Sequence, residues 1–294
     1  MKRTLGEILR LGAEYLQKRG VADAAIEAEY IVSSVLMLGH TSMLSKRDEP
    51  VGDKTLSILR GMIIERGKGK PSSYLTGRRD FYGMEFFVDE NCLIPRRETE
   101  ILVEEVIKAA DALAASRPSR DVRILDIGCG CGNISVAVAK NVERSIVSAV
   151  DISYGAVLKT CQNALANGVY QKLAVYSGDI FSPFENTGKF LEYFDIIVSN
   201  PPYVCDGEIN GLSKEVAEYE PRGALAGGRD GLDFYRKIIP AAGFFLSRGG
   251  VVFFEVGPGQ KEPVSAILAE FDYRDVSAKR DYGGVDRVIC ARRP

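Results

Sequence analysis

The sequence predicts an α/β fold: an open, mostly parallel sheet with helices on both faces, preceded by a small all-helical domain and a β-hairpin linker. Three observations carry this. From residue 122 onward, short apolar runs alternate with stretches of helical period, the pattern of parallel strands joined by crossover helices. The first seventy or so residues carry helical periodicity alone. Between the two, Asp80-Phe81-Tyr82-Gly83-Met84-Glu85-Phe86-Phe87-Val88 alternates about a glycine turn, and Cys92-Leu93-Ile94 extends the same hairpin pattern.

In order along the chain, Leu5, Ile8, Leu9 and Leu16 fall on one helical face, with Thr4 as N-cap and Gly20 as stop. A second helix over 23–39 carries Ile26, Tyr30 and Val35, a helical turn follows over 41–46, and a helix begun at Asp53 ends near Gly67. Pro95-Arg96-Arg97-Glu98-Thr99-Glu100 opens a helix over 99–114, and 116–120 is a polar surface loop. Strands are predicted over 122–126, 145–151, 173–176, 194–199 and 251–256, and helices over 133–141, 154–167, 233–247 and 262–271. A terminal strand pair over 273–278 and 287–291 encloses the turn Tyr282-Gly283-Gly284. The expected division is 1–72 (helical), 73–97 (hairpin linker) and 98–294 (α/β domain).

Bulk composition narrows the function. With 38 basic and 40 acidic residues, the net charge of -2 argues against a broad nucleic-acid footprint. One histidine, His40, and six cysteines without a C-x-x-C pair argue against zinc and against a histidine general base. No apolar run reaches membrane-span length. Met1-Lys2-Arg3-Thr4 passes straight into an amphipathic pattern without a leader-like apolar core. A cytoplasmic protein with free thiols is the expectation.

The sharpest chemical signal is Asn200-Pro201-Pro202-Tyr203, at the end of the apolar run Phe194-Asp195-Ile196-Ile197-Val198-Ser199. Each proline removes a backbone donor and fixes φ at about -65°, and the residue before a proline is kept out of the helical region. The carbonyls of this segment are therefore not tied up in a helix. One of them, with the Asn200 side-chain oxygen, suits accepting both N–H bonds of a planar NH2 group. Tyr203 offers a ring to its flat face.

A second signal is the strand-to-helix turn Asp126-Ile127-Gly128-Cys129-Gly130-Cys131-Gly132-Asn133. Its spacing is G-x-G-x-G, not the G-x-G-x-x-G of a dinucleotide site. Asp151 ends the next strand, where a carboxylate can bind two ribose hydroxyls, and Asp179-Ile180 follows the third, where an acid and an apolar side chain can meet an adenine. This layout resembles the class I S-adenosylmethionine-dependent methyltransferases. In it, Asp126 would face the positively charged methionine end of S-adenosyl-L-methionine.

Asn-Pro-Pro-Tyr occurs in methyltransferases that act on adenine N6 and on side-chain amides. Further segments separate the two: Tyr74-Leu75-Thr76-Gly77, Phe81-Tyr82-Gly83, Leu93-Ile94-Pro95-Arg96, Glu98-Thr99-Glu100, Glu220-Pro221, Ala224-Leu225 and Gly227-Gly228-Arg229-Asp230-Gly231-Leu232-Asp233-Phe234-Tyr235. With these the whole chain resembles the protein-glutamine N5-methyltransferases of peptide chain release factors (the HemK/PrmC family). The resemblance implies methyl transfer to the glutamine of a Gly-Gly-Gln motif in a release factor, and a helical domain that helps dock that protein. It implies cofactor contacts at Gly128, Cys129, Gly130, Cys131, Gly132, Asp151, Ile180 and Asn200. It implies substrate contacts at Asn200, Pro201, Pro202 and Tyr203, with Asn200, Pro201 and Tyr203 catalytic. Two departures stand out: Arg97 where the family commonly has a second proline, and cysteines in the glycine loop where Thr or Ser is usual. Gly257-Pro258-Gly259-Gln260 is a strand-end turn in this reading, not a substrate motif. The rival substrate is adenine N6 in nucleic acid; no direct nucleic-acid binding and no membrane partner are expected. An NAD-dependent oxidoreductase and a non-catalytic cofactor-binding module fit the loop spacing and the Asn200 segment less well.

Overall fold

The computed structural model describes residues 3–185 and 188–294. Met1 and Lys2, part of the run in which no leader is expected, lie outside the described residues. The chain forms two compact units: the N-terminal segment to Arg78 together with Ser213–Tyr219, and Arg79–Leu212 together with Glu220–Pro294.

The first unit holds α1 (Leu5–Lys18), α2 (Ala24–Leu36), α3 (His40–Ser45), α4 (Asp53–Lys68) and α5 (Ser72–Thr76). Thr4 caps α1 in a reciprocal box: its hydroxyl accepts the Glu7 N–H at 3.3 Å, and the Glu7 carboxylate accepts the Thr4 N–H at 3.0 Å. Leu5, Ile8 and Leu16 of α1 meet Ile31 and Val32 of α2 and Leu59 and Ile63 of α4 in one core. The short helix Lys214–Tyr219 belongs here because of Arg66. That guanidinium is 3% exposed and donates to Glu27 at 2.6 Å through Nε and to Glu215 at 2.6 Å through Nη2. A buried cation needs both carboxylates.

Next come a hairpin, β1 (Arg78–Phe81) and β2 (Met84–Phe87), then α6 (Thr99–Ser116), β3 (Val122–Ile127), α7 (Asn133–Asn141), β4 (Ser145–Asp151), α8 (Tyr154–Ala166), β5 (Leu173–Ser177), β6 (Phe194–Ser199) and α9 (Lys214–Tyr219). The chain closes with α10 (Asp233–Phe245), β7 (Leu246–Glu255), α11 (Lys261–Glu270), β8 (Arg274–Arg280) and β9 (Asp286–Arg292). The hairpin is confined to 78–87. Cys92-Leu93-Ile94, expected in it, forms no strand. The helix expected to reach 247 stops at Phe245, because Leu246 is fully buried and already pairs with Phe194 across the sheet.

Seven strands form one sheet in the order β5-β4-β3-β6-β7-β9-β8. The pairings from β5 through β7 are parallel, and β9 runs antiparallel to both β7 and β8. All six residues of β6 are buried, so its apolar run shows no alternation. The order reverses between β3 and β6: the chain steps outward through β4 and β5, then returns to the other side of β3. Ligands of open α/β sheets bind beyond the strand carboxyl ends at such a reversal. Here those ends carry Gly128 and Asn200. The Ser199 hydroxyl donates to the Ile127 carbonyl at 2.7 Å and holds the two strand ends in register.

Candidate active site

A cavity of about 320 Å³ opens at this reversal. Gly128, Cys129, Gly130, Asp151, Asp179 and Ile180 line one part of it. Thr99, Asn200, Pro201 and Pro202 also line it, as do Cys92, Leu93, Arg96 and Pro221. Cys92 and Leu93 are thus wall rather than strand.

The glycine loop is shaped by its backbone. Gly128 and Gly130 have φ of +73° and +56°, which glycine takes without strain. Gly130 donates its N–H to Asp151 Oδ2 at 2.8 Å, and Ser153 donates its N–H to Asp151 Oδ1 at 2.8 Å. Burial pushes the Asp151 carboxyl above its usual range, while these two N–H groups pull it back. Each oxygen keeps a free lone pair for a diol. Ile180 adopts φ of +50°, an uncommon conformation for a β-branched residue and a mark of local strain at the cavity wall.

Three expected site residues are not on the cavity wall. Gly132 is a glycine for packing reasons, since a Cβ there would lie 2.8 Å from Thr160 Cγ2 of α8. Cys131 is buried beside Cys92, whose neighbouring thiol, with burial, raises it well above the usual thiol range. Tyr203 points its hydroxyl at Glu255 Oε1, 3.5 Å away. Asp126 is fully buried under the loop. Its Oδ2 accepts from the Ser135 N–H and hydroxyl, its Oδ1 takes no hydrogen bond, and burial pushes it up to about 7. The Cys129 thiol, 3.3 Å from the Thr160 hydroxyl, is raised by burial and is no nucleophile.

The segment after β6 is braced from several sides. Asn200 is half-buried, and its Nδ2 donates to Thr99 Oγ1 at 3.2 Å. Gln260 Nε2 donates to the Tyr203 carbonyl at 2.9 Å, while its Oε1 accepts the Gly257 N–H at 2.9 Å. Val204 and Ala226 form a parallel bridge, and a Cβ on Gly227 would lie 2.8 Å from the Pro202 carbonyl oxygen. The glycines at 227–231 therefore let a second backbone lie against the Asn-Pro-Pro-Tyr segment. The sequence marks Gln260 only as part of a turn, and Thr99 only as part of a motif. Arg96 on the wall is held by the buried Glu220 at 2.5 Å.

Glu255, beneath Tyr203, is pushed up to about 7 by complete burial. The Thr99 hydroxyl lies close enough to favour the charged form, but Glu255 Oε2 takes no hydrogen bond. Below its ordinary value of 4.5, the carboxyl is protonated in folded and unfolded chains alike. Above that, the unfolded chain sheds the proton first. Stability from this group is therefore lost as pH rises from about 4.5 to about 7, at roughly 1.4 kcal/mol per pH unit. Glu255→Gln should flatten that fall in urea unfolding at a series of pH values. An unchanged slope would show that the carboxyl titrates alike in both states.

Residues 99–217 match the family model "Methyltransferase small domain", and residues 7–77 match "PrmC N-terminal domain". A release factor glutamine methyltransferase of Geobacter sulfurreducens is 37% identical over 98% of this chain and 96% of its own. One of Bacillus cereus is 35% identical over 97% and 98%. The chain belongs to the release factor glutamine methyltransferase family. Its catalytic unit also shares the fold of a human methyltransferase 10 domain containing protein. That match has a TM-score of 0.52 and 16% identity, and covers 71% of this chain and 88% of that one. A member of the release factor glutamine methyltransferase family is an S-adenosylmethionine-dependent enzyme, and the cavity fits that cofactor. A half-buried carboxylate with a free lone pair on each oxygen suits a ribose, and Asp179 with Ile180 suits an adenine. Among the described residues, no helix is long and apolar enough to cross a membrane.

Proposed function

We propose that this protein transfers a methyl group from S-adenosyl-L-methionine to the side-chain amide nitrogen of the glutamine in the Gly-Gly-Gln motif of a peptide chain release factor, in the cytoplasm. The observation that carries the reading is one cavity bordered by both the Asp151–glycine-loop wall and the Asn200-Pro201-Pro202 segment. In this reading, residues 1–72 dock the protein substrate, 73–97 link them to the methyl-transfer region 98–294, and no direct contact with nucleic acid takes part.

When bound, the cofactor supplies an electrophilic methyl group. Gly128, Cys129, Gly130, Asp151, Ile180 and Asn200 would hold it, with Cys131 and Gly132 shaping the loop from behind. The chemical difficulty lies in the acceptor, because an amide nitrogen's lone pair is delocalised into its carbonyl. No histidine borders the cavity to take a proton. Positioning dominates instead. Asn200 Oδ1 and the Pro201 carbonyl accept the two amide N–H bonds, with Pro202 on the wall beside them and Tyr203 bracing the segment from behind through the Gln260 bond to its carbonyl. Such alignment supplies on the order of 7–11 kcal/mol in favourable cases. The same acceptors stabilise the positive charge that develops on nitrogen.

The test is incubation with labelled S-adenosylmethionine and either a release factor or an adenine-containing oligonucleotide. Label should enter the protein and vanish when its Gly-Gly-Gln glutamine is changed; label in the oligonucleotide would favour the adenine reading. Asp151→Ala should weaken cofactor binding roughly 10–100-fold, since a charge-assisted hydrogen bond contributes about 1.5–3 kcal/mol. Unchanged affinity by calorimetry would remove Asp151 from the ribose site.

A further inference from the structure

A primary amide has nearly the same shape whichever way its oxygen and nitrogen point, but opposite hydrogen-bonding polarity. For Asn200 the difference is decisive. With Oδ1 toward the cavity it accepts from an incoming NH2; with Nδ2 toward the cavity it opposes one donor with another. Nothing within the Asn-Pro-Pro-Tyr segment chooses between the two, because the prolines restrain the backbone and leave the side-chain amide free to turn.

The choice is made from α6. Thr99, its first residue, is 1% exposed, borders the same cavity, and accepts Asn200 Nδ2–H at 3.2 Å. The hydroxyl oxygen offers its lone pairs toward Asn200, and the amide atom set against it is Nδ2 rather than Oδ1. We infer that Thr99 is a positioning residue for methyl transfer: its hydroxyl holds Asn200 Nδ2 and so commits Asn200 Oδ1 to the NH2 of the acceptor. The inference rests on the functional reading above and deepens it, since it also explains how the site prefers an NH2 donor to a carboxylate, which has no proton to offer.

Thr99→Val removes the hydroxyl at nearly constant volume and faces Asn200 Nδ2 with a methyl group. The amide then turns its NH2 to the cavity, and the competent orientation becomes a minor population. Expected in Thr99→Val is a fall in kcat/KM for the release factor of about tenfold, with cofactor affinity by calorimetry within twofold of wild type. Thr99→Ser, which keeps the hydroxyl, should restore kcat/KM. A purely structural role would be rescued no better by serine than by valine, and would move the melting temperature and cofactor affinity together. A second readout needs neither substrate nor cofactor. The Asn200 side-chain NH2 signals in 15N NMR should exchange slowly in wild type and Thr99→Ser, and about tenfold faster in Thr99→Val. Equal exchange in all three, or a Thr99→Ser enzyme as impaired as Thr99→Val, would overturn the assignment. A wild-type enzyme that methylates no release factor would sink the functional reading, while the NMR comparison would still decide whether Thr99 orients Asn200.

Discussion

Asn200→Ala should lower kcat for methyl transfer by roughly 10²–10³-fold, the cost of removing one preorganised polar group that meets charge developing in a transition state. The group removed is small, and its structural duties are few. Asn200 is half-buried and contributes one side-chain hydrogen bond, to Thr99. Losing it should cost about 1 kcal/mol of stability, so the variant stays folded and its residual rate is measurable. The loss should fall on kcat more than on substrate KM, because the acceptor matters most as the nitrogen becomes positive. Cofactor affinity should fall less than in Asp151→Ala, since Asp151 offers two oxygens to the cofactor and Asn200 one contact. Single-turnover methylation of a release factor, with unfolding monitored in parallel, separates these effects. A variant with near-wild-type kcat would mean that the amide is held and polarised by something other than Asn200.

The parts of this molecule that sequence could reveal are those whose cause is local. β6 is an apolar run buried on both faces, and α7 is an apolar stretch that follows a glycine N-cap; both span the residues their patterns predict, Phe194–Ser199 and Asn133–Asn141. The cavity-facing Gly128, Gly130, Asp151, Ile180, Asn200, Pro201 and Pro202 were likewise legible, because strand ends in an open α/β sheet converge on one edge. What stayed hidden depends on partners far away in the chain. The helix Lys214–Tyr219 has no place in the elements predicted above, and its Glu215 is held by Arg66, 149 positions earlier. Gln260 sits in a run that suggests nothing but a turn, yet it grips the Tyr203 carbonyl. Cys92-Leu93-Ile94 has strand composition but no strand to pair with; Cys92 and Leu93 border the cavity instead, and Ile94 is buried. Tyr203 was expected against the substrate because it adjoins Asn200, but a neighbour in sequence need not face the same way, and its hydroxyl turns toward Glu255.

Asp195→Ala should destabilise the catalytic unit by about 3–5 kcal/mol, an effect that no motif in the sequence announces. The 116–120 loop looks like solvated connection, yet Arg117 and Arg120 both reach back to this one carboxylate, which is 2% exposed at the amino end of β6. Arg117 Nη1 donates to Asp195 Oδ1 at 2.7 Å and the Ser247 hydroxyl donates to it at 3.2 Å; the Arg123 N–H donates to Oδ2 at 3.0 Å. One side chain thereby ties β6 to β3, to the start of β7 and to the end of α6. The lower end of the range is favoured, because both guanidiniums are more than a third exposed and can rehydrate when the acid is gone. Arg123 N–H and the Ser247 hydroxyl would lose the partner they have in the interior. Asp195→Asn, which keeps an acceptor oxygen, should cost less. Five residue steps of extended strand separate Asp195 from Asn200, roughly 16 Å at about 3.3 Å per residue. Methyl transfer per folded molecule should therefore survive at low temperature while the urea midpoint drops. An unchanged midpoint would mean that the two arginines and the strand end are held by the apolar core alone. A lost kcat in a fully folded variant would mean that the two ends of β6 are mechanically coupled.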